Sequence, residues 1–288
     1  MLEERSMNTE TIAEAVKYFF ILIAVYVVFT TGEGLFPKVK RRFTRRCYAD
    51  KGLHSLKQDI PENSLEAVKR AADQRYGSRI DVRLTKDLIP VLFSDSDLSR
   101  AAKDQRRIED MTYEEVANII VFGSHHIDKL QDVLEALDKY EEKALMLNLI
   151  CSDTEKDKVT QFCKAVTEVF YPYRRFCCVE SHNYRVIHFY AANYSNIVRG
   201  LRMLPREESD LSDKEFEDLN RMRKNMSARP QFFDTAPDLY SRYYWVPVTM
   251  GSFLAMRGAN GEADRLKIAE EYKTDTFIFS KGTPKSKF

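Results

Sequence analysis

Short apolar runs alternate with longer amphipathic segments from residue 47 to the C-terminus. Such runs predict strands, and the amphipathic segments between them predict helices. Eight strands that alternate with helices are typical of a closed parallel barrel, so we predict an α/β fold. The predicted strands are 47–50, 78–82, 145–150, 176–181, 197–203, 231–234, 246–250 and 275–280, and the predicted helices are 63–74, 155–170, 184–192, 212–225 and 261–272.

One further apolar run, residues 90–95, does not fit this alternation. It follows the turn-like segment 85–88 (TKDL), only a few residues after the second strand. A connection this short joins antiparallel strands, so we expect a hairpin and not a barrel strand. Residues 96–140 then predict a helical insertion before the third barrel strand, and the charged segment 205–224 predicts a solvated helix.

A separate apolar stretch lies near the N-terminus. Residues 18–31 carry no charge, and the flanking residues extend the stretch to about 18–33. A helix that spans a bilayer needs about 20 apolar residues. We therefore predict an N-terminal segment, 1–36, that contains a transmembrane helix, with a buried core helix as the alternative. A cleaved signal peptide is disfavoured because the preceding residues are acidic.

The charges that flank this stretch predict an orientation. The upstream flank is acidic, whereas residues 37–46 form a basic juxtamembrane linker. Basic flanks stay on the cytoplasmic side, so we expect a single-pass membrane protein whose barrel, residues 47–288, lies on the cytoplasmic side. The linker would meet the membrane lipid surface, either as a plain stop-transfer flank or as a site for anionic headgroups. Its basic residues are Lys38, Lys40, Arg41, Arg42, Arg45 and Arg46.

Size and charge limit the remaining possibilities. The 288 residues are enough for one (β/α)8 barrel, which typically needs about 250 residues. The formal net charge of +1 gives no global attraction to nucleic acid. The five cysteines are odd in number and lack metal-ligand spacing, which favours free thiols in a reducing compartment. The sequence does not indicate an oligomeric state.

The most informative motif opens the barrel. Residues 48–54 read YADKGLH, and residues 61–64 read PENS. They resemble the opening motif of the glycerophosphodiester phosphodiesterase family, in which YAHRGLH precedes PENS. The resemblance continues over about 240 residues and implies a TIM (β/α)8 barrel of the phosphodiesterase type. Later family landmarks follow in order as SRIDVRLTKD (78–87), VLFSD (91–95), LNLI (147–150), VES (179–181), RGL (199–201), RPQF (229–232) and TFIF (276–279).

The resemblance implies a catalytic site whose acid–base residues have changed. The family hydrolyses glycerophosphodiesters with a divalent cation held by carboxylates and with two histidines for proton transfer. At the matching positions, the first histidine is Asp50, its arginine neighbour is Lys51, and the second histidine is Ser94, beside a retained Asp95. An aspartate with an ordinary pKa cannot donate a proton near neutral pH.

The metal positions implied by the resemblance have changed as well. They are Arg79, Asp81 and Ile150, of which only Asp81 keeps a carboxylate, and Ser152 replaces a lysine. A hard cation needs several oxygen ligands, so we expect no cofactor, and Mg²⁺ or Ca²⁺ only in a rebuilt site. We interpret the chain as a pseudoenzyme that binds a phosphorylated ligand or a partner at the membrane. The alternatives are an active phosphodiesterase of glycerophospholipid metabolism with a rebuilt site, and a purely structural barrel.

Arg79 and Asp81 share a strand face, and Asp50 ends the neighbouring predicted strand. We therefore predict an Arg79–Asp81–Asp50 cluster in which a guanidinium substitutes for the lost metal charge. Arg79 would either only neutralise leftover carboxylates or bind a phosphate-bearing headgroup together with Lys51. The candidate ligand-binding residues are Lys51, Arg79, Asp81, Asp95 and Glu62.

Three other sets of polar residues have side chains that suit metal binding or proton transfer. Asp50, Asp81 and Asp95 would provide carboxylates for a new metal site, although their spacing matches no known motif. His54 occupies a place in the opening motif where active relatives also have histidine, so we interpret it as a loop residue. His125-His126 lies in the predicted insertion and is interpreted as a surface pair.

Overall fold

Eight parallel strands form a closed barrel in the computed structural model, which describes residues 2–30, 41–209, 211–249 and 251–285. The strand order is β1-β9-β8-β7-β6-β5-β4-β2, and β1 pairs with β2 to close the barrel. The predicted eight-stranded α/β barrel is therefore confirmed. The strands are β1 (Arg46–Asp50), β2 (Gly77–Leu84), β3 (Pro90–Leu92), β4 (Leu145–Leu149), β5 (Cys177–Ser181), β6 (Arg199–Arg202), β7 (Phe232–Thr235), β8 (Phe253–Arg257) and β9 (Thr276–Phe279).

Helices connect the barrel strands, and the predicted helical segments are confirmed with bounds that differ by one or more residues. Polar N-cap side chains determine where several of these helices begin. Ser64 accepts from the Ala67 N–H at 3.1 Å before the second helix, and Ser212 forms a capping box with Glu215 before the eighth. The helices are α1 (Leu2–Thr30), α2 (Leu65–Asp73), α3 (Ser99–Ala102), α4 (Tyr113–Ala117), α5 (Leu130–Asp138), α6 (Lys156–Phe170), α7 (Tyr184–Asn193), α8 (Asp213–Asn220), α9 (Asn225–Ala228), α10 (Trp245–Thr249) and α11 (Glu262–Tyr272).

The short strand β3 pairs antiparallel with the end of β2, with Leu92 opposite Val82. The turn between them closes through Thr85, whose backbone N–H donates to the Ile89 carbonyl at 3.1 Å. The Thr85 hydroxyl accepts in return from the Ile89 N–H at 2.9 Å. The predicted hairpin is confirmed. The helices α3, α4 and α5 follow, and that this segment is an insertion relative to other barrels stays a prediction.

The predicted seventh barrel strand, 246–250, is wrong. Residues Trp245–Thr249 form α10, and the strand is Phe253–Arg257, between β7 and β9. Pro247 accounts for the difference, because proline lacks the N–H that a central strand needs but is tolerated in the first turn of a helix. The shift matters for the site, since it places Arg257 at the C-terminal end of the barrel.

The N-terminal end of the barrel is closed by aromatic rings that pack against glycines. A Cβ on Gly200 would lie 2.3 Å from the ring of Phe232, and a Cβ on Gly77 would lie 2.5 Å from the ring of Tyr48. Both rings are fully buried, and the Tyr48 hydroxyl donates to the Phe43 carbonyl at 2.8 Å. No side chain fits at either glycine, so this end is a packed floor and the functional groups lie at the opposite end.

The predicted transmembrane helix is contradicted. Among the described residues, no helix is both long enough and apolar enough to cross a membrane. Charged residues continue to Lys17 in α1, which leaves only its second half apolar. The single-pass membrane localisation, with the barrel on the cytoplasmic side, is therefore wrong as predicted. Residues 31–33 of the predicted span and 37–40 of the linker lie outside the described residues, and the domain boundaries stay predictions.

Replacing Gly200 by alanine should destabilise the barrel, because the new methyl group collides with the buried Phe232 ring. Overpacking a core typically costs about 1–3 kcal/mol, and we expect a loss in this range in urea denaturation. Ser195→Ala, at an exposed position shortly before β6, is the control and should change the unfolding free energy by less than about 0.5 kcal/mol. Equal stability of Gly200→Ala and the parent protein would contradict the packed floor.

Candidate functional site

Seven charged side chains from six strands meet at the C-terminal end of the barrel. Parallel barrels present their functional groups at this end, and the strand alternation points these side chains inward. We call this set the mouth cluster. Its members are Asp50, Arg79, Asp81, Glu180, Arg202, Asp234 and Arg257.

Arg79 is the centre of the mouth cluster, and its side chain is 0 % exposed. Its Nη1 donates to Asp50 Oδ1 at 2.8 Å and lies 3.0 Å from Asp81 Oδ1. Its Nε donates to Glu180 Oε1 at 2.7 Å and lies 3.6 Å from Asp234 Oδ2. One guanidinium thus contacts four carboxylates. The predicted Arg79–Asp81–Asp50 cluster is confirmed and is larger than the sequence indicated.

Asp81 is held by neutral donors in addition to Arg79. Its Oδ2 accepts from the Ser94 hydroxyl at 2.7 Å, and its Oδ1 accepts from the Asn148 amide at 2.7 Å. The backbone N–H of Asp81 donates to the side-chain oxygen of Asn63 at 3.0 Å. Both carboxylate oxygens therefore have partners, and the Ser94 hydroxyl is engaged with this carboxylate.

Arg257 is the second guanidinium of the cluster and was not predicted. Its Nη2 donates to Asp234 and lies 3.9 Å from Glu180 Oε1, while its Nη1 lies 3.4 Å from Asp50 Oδ2. The misplaced seventh strand hid Arg257. Glu180 and Asp234 were also missed, although a carboxylate in an otherwise apolar strand was a usable signal, since buried charges need partners.

The mouth cluster contains four carboxylates and three guanidinium groups, so one negative charge has no cation to offset it. This imbalance affects the pKa of Glu180. Its burial and the nearby Asp234 outweigh the attraction of Arg79 and Arg257, and they raise the pKa of Glu180 to about 8. At neutral pH the Glu180 carboxyl therefore holds a proton, and the cluster as a whole is neutral.

The other charges of the cluster are not equally compensated. Burial alone would raise the pKa values of Asp50 and Asp81. The attraction of Arg79 and Arg257 outweighs burial for Asp50, and that of Arg79 and Arg202 outweighs it for Asp81, so both pKa values lie below their usual range. For Arg202, burial and the repulsion from Arg79 and Arg257 lower the pKa to about 10. Its nitrogens lie 3.9 Å or more from carboxylate oxygens, and its Nε is buried without a hydrogen-bond partner in the described part of the chain.

A cavity of about 340 Å³ opens beside the cluster, and its walls are rich in hydrogen-bond donors. Lys51, Arg83 and Arg202 line it together with the hydroxyls of Ser96 and Ser152, and the carboxylates of Asp81 and Glu208 line it as well. The Nη1 of Arg83 binds Glu109 at 2.5 Å, but its Nε is buried without a described partner. The cavity therefore combines cations with donors that the described protein groups leave unsatisfied.

Three of the predicted ligand-binding residues lie at the rim and are engaged with one another. Lys51 Nζ donates to Glu62 Oε1 at 2.9 Å. Arg100 contacts the same Glu62 oxygen and donates from its Nε to Asp95 Oδ2 at 2.6 Å. The backbone N–H of Lys51 donates to the Arg79 carbonyl at 2.6 Å, which ties the rim to the cluster below it.

Two histidine predictions are clarified by the structure. His125 lies away from the cavity, with its Nε2 2.9 Å from Asp59 Oδ1 near the surface. His182, which follows β5, lines the cavity and was missed, because residues 179–181 were interpreted only as a family landmark. Burial lowers the pKa of His54, the loop residue of the opening motif.

The mouth cluster does not fit a divalent cation. The four carboxylates converge on the Arg79 guanidinium, which fills the position that a cation would need. Ile150 lines the cavity at the third family position and offers no oxygen from its side chain. In the described ranges, no three histidine, cysteine, aspartate or glutamate side chains are arranged to hold a metal ion. The considered three-aspartate site is not formed, since Asp95 pairs with Arg100.

Comparison with solved structures identifies the fold. The barrel superimposes on a phosphodiesterase from Oleispira antarctica with a TM-score of 0.63 and 20% identity, covering 82% of this chain and 93% of that one. For a putative glycerophosphoryl diester phosphodiesterase from Silicibacter pomeroyi, the TM-score is 0.66 at 16% identity, over 82% and 90% of the two chains. The fold is thus a TIM barrel of the phosphodiesterase type.

Sequence comparison supplies the family. The glycerophosphoryl diester phosphodiesterase family model matches residues 55–187. Glycerophosphodiester phosphodiesterase 1 of Rattus norvegicus and that of Homo sapiens are each 33% identical to this chain over 70 residues, which are 24% of this chain and 21% of each relative. The match therefore spans about a fifth of the length of these curated relatives. Residues 55–187 therefore match the glycerophosphodiester phosphodiesterase family, and the barrel fold of the chain agrees with this match.

Replacing Arg79 by methionine should strongly destabilise the protein, because four carboxylates would lose their central cation. Removing one partner of a buried ion pair costs about 3–5 kcal/mol, and we expect a loss of this size in urea denaturation. Millimolar Ca²⁺ should raise the Tm of the variant more than that of the parent, since a bound cation stabilises the folded state.

Arg100→Met at the exposed rim is the matched control for this experiment. It should cost less than about 1 kcal/mol, because exposed ion pairs contribute little. An unchanged stability of Arg79→Met, or an equal response of both variants to Ca²⁺, would contradict the role assigned to Arg79.

The proton on Glu180 predicts a pH dependence of stability. The folded pKa of about 8 lies above the ordinary value of 4.5, so between these values the folded state binds more protons than the unfolded state. The contribution of Glu180 is therefore fully present below pH 4.5 and is lost as the pH rises towards 8. Denaturation of Glu180→Gln between these pH values should show a flatter profile than the parent. Glu168→Gln, at an exposed position of α6, should keep the parent profile, and identical slopes for all three proteins would refute the assignment.

Proposed function

We propose that this protein is a phosphodiesterase homologue that binds an anionic phosphorylated ligand in the mouth cavity without hydrolysing it. One observation carries the loss of hydrolysis: the Arg79 guanidinium is fully buried at the point where the four carboxylates converge. Metal-assisted hydrolysis needs a cation that reaches a phosphoryl oxygen. A guanidinium that is enclosed by protein carboxylates does not meet this need.

The acid–base positions support the same conclusion. The pKa of Asp50 is held below its usual range, so this carboxyl cannot protonate a leaving group near neutral pH. The Ser94 hydroxyl donates to Asp81 and is not an acid in this range. His182 lines the cavity and is one imidazole where the family uses two. A single positioned acid or base contributes about 10²–10⁴-fold, which is far less than a hydrolase needs.

Binding of a phosphate group is supported by the cavity that remains. Arg202 and Arg83 each carry a buried Nε without a described partner, and the charge of Arg202 is poorly compensated. A phosphate oxygen would satisfy these donors, and arginine suits phosphate geometry. The structure from Oleispira antarctica was obtained with the product sn-glycerol-3-phosphate, which suggests the class of ligand.

Within this proposal, the candidate ligand-binding residues have different roles. Arg79 is enclosed, so we assign it the role of holding the carboxylates, which was one of the two interpretations of its sequence position. Lys51 lines the cavity and remains a candidate, with Glu62 and Asp95 fixing the rim around it. We assign to Arg202 the role of the principal phosphate-binding residue.

Two assays on the full chain test this proposal. Glycerophosphocholine should not be hydrolysed in the presence of Mg²⁺ or Ca²⁺, and turnover that a chelator abolishes would favour the alternative of a rebuilt active site. Glycerol 3-phosphate should bind in isothermal titration. Arg202→Gln should weaken this binding about tenfold or more, because a charged hydrogen bond contributes about 1.5–3 kcal/mol.

Arg221→Gln, at an exposed ion pair of the outer surface, is the matched control and should bind like the parent. Thermal unfolding of both variants distinguishes a lost contact from a lost fold. If the parent binds no phosphorylated ligand and hydrolyses nothing, the proposal fails and the purely structural barrel remains.

A further inference from the structure

A groove on the outer surface of the barrel lies between α6 and α7. Its volume is about 690 Å³, and it is lined by one face of each helix. Lys156, Thr160 and Lys164 follow each other at intervals of four along α6, and α7 presents Arg185 and His188. Positions four apart lie on one side of a helix, so the groove runs along both helices. It shares no lining residue with the mouth cavity.

The rim of this groove is basic. Lys156, Lys164 and Arg185 line it, and no carboxylate does. The chain has 45 lysine and arginine residues and 44 acidic residues, so this segregation is local. Neither Lys156 nor Lys164 has an ion pair among the described residues. The rim therefore has positive charge that the described protein groups do not offset.

Arg185 adds a hydrogen-bond donor that has no described acceptor. Its Nη2 binds Glu215 Oε1 at 2.7 Å, while its Nη1 is buried without a described hydrogen-bond partner. A buried, unsatisfied donor is costly, and an anion at the rim would satisfy it. On the same side, His188 Nδ1 donates to the Ser227 carbonyl at 2.7 Å, which fixes the imidazole ring.

The floor of the groove is apolar. Val159 and Phe189 form it from the two helices, and both belong to the barrel–helix core. Ala192 is exposed at one side, so its methyl group leaves space above the floor. An apolar floor with a few polar groups at the edge is typical of sites for small molecules.

We propose that this groove binds an anionic amphiphile, which is a molecule with an apolar chain and a carboxylate or phosphate head. The chain lies on Val159 and Phe189, and the head lies between the two lysines and Arg185. The proposal is independent of the function proposed for the mouth cavity, since the two sites share no residue.

The test uses the full chain and two probes, decanoate and decyl phosphate, below their micelle concentrations in isothermal titration. With the mouth cavity saturated by glycerol 3-phosphate, both should bind with one-to-one stoichiometry. Decyltrimethylammonium has the same chain with a cationic head and should bind at least about tenfold more weakly, as should inorganic phosphate, which lacks the chain. The comparison of the two anionic probes shows which head the site prefers.

Three variants locate the binding. Lys164→Glu reverses a rim charge, and Ala192→Trp fills the space above the floor, so each should weaken binding about tenfold or more. Lys158→Glu is the matched control, because Lys158 lies on α6 outside the groove and pairs with Glu155. Equal binding by all three variants, or equal binding of the cationic probe, would overturn the proposal. Glycerol 3-phosphate binding at the mouth should be unchanged in all three.

Discussion

The enclosed guanidinium of Arg79 is the interaction on which the mouth of the barrel depends. It joins carboxylates from β1, β2, β5 and β7, strands that lie on different sides of the barrel. Buried carboxylates repel one another and lose their hydration, at a cost of several kcal/mol each. They converge here only because a cation is fixed among them. In this chain that cation is part of β2 and cannot dissociate.

The Arg79 guanidinium is covalently attached to the chain and therefore cannot act as a metal ion does in hydrolysis. A metal ion can exchange ligands and take a substrate oxygen into its coordination sphere. The directions in which the Arg79 Nε and Nη1 hydrogens point are already taken by carboxylates. Arg79 Nη2 and Arg257 Nε are also buried without a described partner. The unsatisfied donors that belong to cavity-lining residues are those of Arg202 and Arg83. In the proposed function, Arg79 neutralises the carboxylates and the cavity-lining arginines bind the ligand, two tasks that one metal ion performs together.

The sequence predicted the fold and part of the site for physical reasons. The barrel followed from the alternation of apolar runs, and the pairing of Arg79 with Asp81 followed from the two-residue period of a strand. Arg257 was missed because the apolar residues 246–250 were interpreted as a strand although they contain Pro247, so the true strand end was misplaced. Glu180 and Asp234 carry no local signal of which cation they meet, since that depends on the closure of the barrel.

For the N-terminal helix, the sequence predicted more than the structure contains. The sequence shows a charge-free run near the N-terminus. In the helix that contains it, charged residues continue to Lys17, so the apolar part is only the second half of α1. A local composition signal was therefore extended beyond what the described helix supports.

Charge balance connects the buried cluster to the cavity beside it. Four ionised carboxylates against three guanidinium groups would leave a net negative charge next to the position proposed for a phosphate. The proton on Glu180 removes that charge at neutral pH. The cavity is lined by the cations Lys51, Arg83 and Arg202 and by the carboxylates Asp81 and Glu208. Lys51 and Arg83 are engaged by carboxylates, and Arg202 is the least compensated of the three cations. In the proposed function, an anion enters this cavity because burial favours the protonated form of Glu180, which lowers the negative charge beneath the ligand.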